Sequence, residues 1–311
     1  MYCRGTNEDT DLTMFFDAGI HWRPAQPRSG LLRAANLGHE EPREGTSVIK
    51  AAFFDVDGTL LSKSTNHLIP PSTKAALAEL RRRGIKCVLC AGRPPIQLPP
   101  CIAEGFPGFE GGFDAYVTMT GSLCYDAEGT YFDVRIDCDP CERLVEQIEA
   151  GAFDAIVLTR ENSWASCDSE RIHELERMVA STYPIRDPLL SLDEGIYQFC
   201  VFVPPAEQGR VEQIMSDCIV ARWCDLFCDV VPATSSKPAG VRATMERFGL
   251  EGDEAIAFGD GGNDATMLQY CTVGVAMGNG TNEAKAAADY VTDNIEDDGI
   301  ANALRHFGLI D

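Results

Sequence analysis

Two short acidic stretches hold the residues best suited to chemistry. In FFDVDGTL, residues 53–60, an apolar run leads into Asp55 and Asp57 with only Val56 between them. Carboxylates that close repel one another, and burying them is unfavourable unless positive charge is nearby. Gly58 lets the backbone turn closely there, and Thr59 offers a hydroxyl. In AIAFGDGGND, residues 255–264, a second apolar run leads into Asp260, Asn263 and Asp264, and Gly259, Gly261 and Gly262 let that loop approach an ion or a phosphate. A lone D-x-D is common in turns, whereas G-D-x-x-N-D after a strand is more specific. Lys237 lies between the two stretches in sequence. Oxygen donors delivered by two distant segments suit Mg²⁺, a hard cation with octahedral oxygen coordination.

Such residues must be brought to one place, and the patterning around them says how. VIKAAFF (48–54) is a short apolar run rich in strand formers, as a buried parallel strand requires. PPSTKAALAELRRRG (70–84) reads as a helix with Ser72 as cap, Ala75, Leu77 and Leu80 as apolar positions and Gly84 as the stop. IKCVLCAG (85–92) and FDAYVTMTG (113–121) read as strands, and Cys87 and Cys90 within the former should face opposite ways. The alternation returns near the end: a helix over Lys237–Phe248, a strand in EAIAFGD, a helix starting in NDATMLQY, a strand in CTVGVAMG and a helix in TNEAKAAADY. Alternating strands and helices predict an α/β fold with a parallel sheet and right-handed crossovers. In an open sheet of that kind, ligands bind at the carboxyl ends of the strands, where both acidic stretches fall.

Residues 138–229 change style, with helix, strand, helix, strand, helix and strand in turn, and read as an inserted α+β domain. The expected core is therefore 48–137 plus 230–311. Residues 1–47, where apolar residues lack periodicity, read as a poorly ordered N-terminal extension, and a chain beginning at Val48 is expected to fold and function. The net charge of −22, from 26 basic and 48 acidic residues, argues against nucleic-acid binding, because phosphate backbones need clustered Lys and Arg. An anionic substrate must be met by local positive charge or by a metal. No apolar stretch approaches the length of a membrane span. Thirteen cysteines, an odd number without a secretion signal, suit a reducing cytoplasmic setting. Cys138-Asp-Pro-Cys141 and the Cys224/Cys228 pair lack the partners that a structural zinc site needs. Neither G-x-G-x-x-G nor G-x-x-x-x-G-K-[ST] is present, which disfavours a dinucleotide or P-loop site.

Taken together, FFDVDGTL, CAGRP (90–94), TGSLCYD (120–126), SSKPAG (235–240), GDGGNDATML (259–268) and VAMGNG (275–280) resemble the motifs of the haloacid dehalogenase superfamily. The similarity is to its Cof-type (subfamily IIB) phosphatases and covers about residues 48–311. It implies a Rossmann-like parallel-sheet core with a C2-type cap, and a Mg²⁺-dependent phosphomonoester hydrolase acting through an aspartyl phosphate. By the resemblance Asp55 is the nucleophile, Asp57 the acid/base and Lys237 the cation that pairs with nucleophile and phosphate. Asp55, Asp260 and the Asp57 carbonyl hold the metal, with Asn263 and Asp264 supporting that shell. Gly92, Arg93, Thr120, Gly121 and Asn263 would meet the phosphate or substrate.

The sequence departs from the family pattern at Ala91, where ATGRP has a hydroxyl residue that hydrogen-bonds the phosphoryl group. The Gly92 N–H, Thr120 and Ser122 are candidate substitutes for that donor. The implied substrate is a small phosphorylated metabolite such as a sugar phosphate, with Trp164, Tyr197 and Trp223 as aromatic candidates for the pocket or for cap packing. A phosphomutase using the same intermediate, and a weakened regulatory binding protein, are the alternatives.

Overall fold

The computed structural model describes residues 48–62, 68–179, 181–222 and 224–311, so the expected N-terminal extension and Trp223 fall outside the described residues. The chain begins with β1 (Ala51–Phe54), α1 (Pro71–Arg82), β2 (Lys86–Cys90), α2 (Pro100–Ala103), a small hairpin of β3 (Gly105–Phe106) and β4 (Phe109–Glu110), then β5 (Ala115–Thr118), β6 (Leu123–Asp126) and β7 (Gly129–Asp133). Next come α3 (Cys138–Glu149), β8 (Asp154–Thr159), β9 (Ser163–Ala165), α4 (Glu170–Val179), β10 (Ile196–Phe202), α5 (Gln208–Ile214), β11 (Cys218–Ala221) and β12 (Cys228–Pro232). The chain then returns through α6 (Lys237–Phe248), β13 (Ala255–Gly259), α7 (Ala265–Tyr270), β14 (Val273–Ala276), α8 (Asn282–Ala287), β15 (Tyr290–Val291) and α9 (Gly299–His306).

The first and last of these groups share one eight-stranded sheet, ordered β15-β14-β13-β1-β2-β5-β6-β7. It is parallel from β15 to β5, as the alternating pattern predicts. The β5–β6–β7 edge is an antiparallel meander, which short connections between successive strands permit. The α/β reading therefore holds, with a mixed sheet in place of a purely parallel one. The AAFF of β1 is buried on both faces. Phe53 enters the cluster under α6 and α7 with Val88, Val241 and Met267. Phe54 enters the opposite cluster with Leu77, Leu304 and Phe258, and stacks on Phe258 with ring centroids 5.0 Å apart. Burying each ring contributes roughly 1.5–3 kcal/mol, which anchors the strand that carries Asp55. Cys87 and Cys90 divide between the same two clusters, so the period-2 reading of that strand is correct.

The middle group forms a five-stranded antiparallel sheet, β11-β12-β10-β8-β9. One face packs on Leu144, Val145 and Val211 of α3 and α5. The other packs on Ile172 and Leu175 of α4, on Met119 from the loop after β5 and on Leu123 of β6. Strand β12 runs to Pro232, past the boundary drawn at 229. Tyr197 is buried in this second sheet and donates its hydroxyl to Asp133 at 2.9 Å, so it packs rather than lining a pocket. Trp164 is covered by the Arg186 guanidinium, 4.3 Å from its ring. Helix α1 starts one residue before Ser72: Pro70 occupies the N-cap and Pro71 the first helical position, where no N–H is missed. Within α1, Ala76 is buried and Ala75 faces outward, because Thr73, Ala76, Leu77 and Leu80 make the inward stripe.

Candidate active site

The ladder between β1 and β13 runs one step past the strand, with Asp55 N–H donating to Phe258 O at 3.0 Å. That bond carries the Asp55 side chain to the same sheet edge as Asp260, which follows β13. Lys237 reaches this edge from the first turn of α6, whose N-cap Ser236 accepts from Ala239 N–H. The lysine is not a solvated helix end, being only 1% exposed. Its Nζ donates to Asp55 Oδ1 and to Asp264 Oδ1, both at 2.5 Å. Asp264 Oδ2 in turn accepts from the N–H groups of Asp260 at 3.0 Å and Gly261 at 2.8 Å. Asp264 is thus engaged through both oxygens and organises the loop.

Asp55, Asp260 and Asp264 each present a carboxylate oxygen within 4.8 Å of the others. Against this surplus of negative charge stands one buried ammonium. Burial, reinforced by the Asp264 charge, pushes the Asp55 carboxyl well above its ordinary range, with Lys237 pulling the other way. Burial alone would lower the Lys237 ammonium, but Asp264 and Asp55 outweigh it and hold it well above its ordinary value. Both groups shift toward keeping protons because the pocket is short of positive charge. Hard carboxylate oxygens from two loops, converging with net negative charge, fit a divalent cation such as Mg²⁺.

Asp57 points elsewhere. Its carboxylate accepts two hydrogen bonds from Arg93, Nε to Oδ2 at 2.7 Å and Nη2 to Oδ1 at 2.6 Å, the strong bidentate geometry of a charge-assisted pair. Arg93 Nη2 also donates to Val179 O at the end of α4, at 3.0 Å, so one guanidinium ties the Asp57 loop to the second sheet's helix. Gln97 adds a second tie, donating to Ser163 Oγ at 2.9 Å. Gly92 and Thr120 face one another across adjacent loops: a Cβ at Gly92 would lie 3.8 Å from Thr120 Oγ1. Gly121 is buried, and a Cβ there would come within 2.0 Å of Ser236 O, so its place is to let this loop press against the turn that carries Lys237. Asn263 is exposed, its amide oxygen folded over Gly261. The described structure therefore gathers Asp55, Lys237, Asp260 and Asp264 tightly, pairs Asp57 with Arg93, and leaves Asn263 at the rim.

One contributor, Asn279, escaped the sequence reading, and the partners of Thr59 and Gly58 emerge only in the structure. Asn279 donates to Gly58 O at 2.8 Å and accepts from Ile295 N–H at 2.9 Å, clamping the loop that follows Asp55. Its signal was available in the GNG of VAMGNG. Thr59 Oγ1 donates to Asp260 Oδ1 at 3.2 Å and links the two acidic loops directly. Gly58 has φ +98°, and a Cβ there would lie 2.2 Å from Asp260 Oδ2. Gly58→Ala is therefore expected to destabilise the fold by about 1–3 kcal/mol, from backbone strain and a displaced carboxylate. Chemical denaturation measures the loss, and an unchanged midpoint would show that the loop relaxes freely.

The profile of the haloacid dehalogenase-like hydrolase family matches residues 52–304. YkrA of Bacillus subtilis, whose name assigns it provisionally to the phosphatases, is 30% identical over 263 residues, covering 84% of this chain and 98% of the relative. Among solved structures, the HAD subclass IIB sugar phosphatase BT4131 superposes with TM-score 0.76 at 31% identity, covering 84% of this chain and all of that one. BT1666 from Bacteroides thetaiotaomicron, described among the phosphatases of the superfamily, gives TM-score 0.76 at 28% identity, covering 87% and 99%. The chain belongs to the haloacid dehalogenase-like hydrolase family and is a phosphatase of that family. No helix among the described residues is long and apolar enough to cross a membrane.

Proposed function

We propose that this protein is a Mg²⁺-dependent phosphomonoester hydrolase that works through an aspartyl phosphate on a small phosphorylated metabolite of the sugar phosphate class. The carrying observation is the buried Asp55–Lys237–Asp264 triad beside Asp260, with Asp57 held at its rim by Arg93. Asp55 attacks phosphorus, forming an acyl phosphate as the bond to the leaving oxygen breaks, and Asp57 gives that oxygen a proton. Asp57 then takes a proton from the water that attacks phosphorus, releasing inorganic phosphate and restoring Asp55. Lys237 neutralises the approach of two anions. Asp55, Asp260 and the Asp57 carbonyl would hold Mg²⁺, which when bound supplies further positive charge to the phosphoryl oxygens. Asn263 and Asp264 would support that shell, while Gly92, Arg93 and Thr120 face the phosphate.

The core is assigned to 48–137 and 230–311 and the cap to 138–229, with β12 of the cap sheet running on to Pro232. The cap would set substrate choice and exclude water, in a protein of the cytoplasm. BT4131 is named as a sugar phosphatase, which supports the sugar assignment. The test is phosphate release from an aryl phosphate: release should require added Mg²⁺ and stop with a chelator. The same ion should stabilise the fold, by the roughly 2.7 kcal/mol that mass action gives at a hundred times its Kd, and so raise Tm. Asp260→Asn should remove that rise. Metal-independent release, or a Tm indifferent to Mg²⁺, would overturn the assignment.

A further inference from the structure

The loop after β2 offers the phosphoryl group little from its side chains. Ala91 is fully buried with only a methyl, and its N–H is spent on Val117 O at 2.8 Å. The neighbouring loop after β5 is zipped to it: Thr120 N–H donates to Ala91 O and Met119 N–H to Arg93 O, both at 3.1 Å. In that loop Met119 (φ 48°) and Thr120 (φ 56°) occupy the left-handed region. A β-branched residue is a genuine outlier there, and such outliers persist where surroundings over-determine them, often at functional sites. The surroundings here do so: Ser235 Oγ donates to Thr120 O at 3.2 Å, and Gly121 closes against Ser236.

Four other hydroxyls near this edge are committed. Thr59 Oγ1 serves Asp260, Thr118 Oγ1 donates to Leu123 O at 3.0 Å, and the Ser122 and Ser235 hydroxyls bond one another at 2.6 Å. This removes Ser122 from the candidates. Thr120 Oγ1 has no partner among the described residues; it is half-buried and 3.8 Å from where a side chain on Gly92 would begin.

We propose that Thr120 Oγ1 donates a hydrogen bond to the transferring phosphoryl group, in place of the side-chain donor that position 91 lacks. The strained backbone is what aims it. The inference rests on the phosphatase reading above and specifies which atom of one phosphate-facing residue acts there, and in place of what.

Thr120→Val keeps the shape and removes the hydroxyl. It is expected to lower Mg²⁺-dependent kcat/KM for an aryl phosphate by about 100-fold, the usual effect of losing one preorganised donor. Inhibition by orthovanadate should weaken in parallel, while Thr120→Ser stays within about threefold of wild type. Ala91→Thr added to Thr120→Val should restore at least about tenfold. Thr120→Gly separates function from structure: it relieves the left-handed strain, so Tm should hold or rise while kcat/KM falls as for Thr120→Val. Wild-type kcat/KM and vanadate inhibition in Thr120→Val would overturn this inference alone, as would activity losses that only track lowered Tm. A wild-type protein with no Mg²⁺-dependent release would overturn the phosphatase reading, and this inference with it.

Discussion

Asp55→Asn is expected to abolish phosphate release, by a factor on the order of 10⁴ or more, while leaving the fold intact. The amide has nearly the same shape as the carboxylate and its oxygen still accepts from Lys237 Nζ, which lies 2.5 Å from Asp55 Oδ1. An amide cannot form the acyl phosphate, so the loss falls on chemistry. The fold should not suffer. Burial and the Asp264 charge already disfavour the ionised form of Asp55, so replacing it with a neutral group removes repulsion in the metal-free protein. Tm without Mg²⁺ should equal or exceed that of wild type. Residual Mg²⁺-dependent turnover within tenfold of wild type would rule out Asp55 as nucleophile, and a collapsed Tm would show that its charge is structural.

Lys237→Met should have the largest effect on stability. Lys237 is one of the largest fully buried side chains, and two carboxylates, Asp55 and Asp264, depend on its ammonium. Removing one partner of a buried ion pair leaves uncompensated charge and costs about 3–5 kcal/mol. In a domain of this size, that lowers Tm by about 10 °C. Methionine nearly fills the volume, so the loss reports charge rather than a cavity. Adding Asp264→Asn should return part of it, because the neutral amide no longer needs a counter-charge, and the two changes should be non-additive in a double-mutant cycle. Equal stability of Lys237→Met and wild type, by calorimetry without Mg²⁺, would show that the pocket already keeps its carboxylates neutral.

Legibility of the sequence varied with how local the signal was. The buried AAFF of β1 and AIAFG of β13 were readable because a parallel strand covered on both faces needs a continuous apolar run. The antiparallel β6–β7 edge was not, since only Leu123 and Cys124 of β6 are buried and Gly129–Asp133 is half-exposed or exposed throughout. Ser72 looked like a cap by residue type, yet Pro70 and Pro71 had already set the backbone for the helix start. Asn279 lay within a readable motif, but its bond to Gly58 O crosses most of the chain's length.

By itself the sequence determined the residue types of the site, their order, and the strand ends that carry them. Those properties follow from short-range rules: side-chain period, glycine at turns, and acids after apolar runs. Tertiary structure alone decided the pairings. It buried Lys237 between Asp55 and Asp264, turned the Asp57 carboxylate to Arg93, and tied Arg93 to Val179 of α4. It also separated Ser122, spent on Ser235, from Thr120, whose hydroxyl at Gly92 is unspent among the described residues. These choices depend on which groups lose water together and which charges meet at a few ångströms, and neither quantity exists along the chain until the sheet brings residues 55, 93, 120, 237 and 264 to one edge.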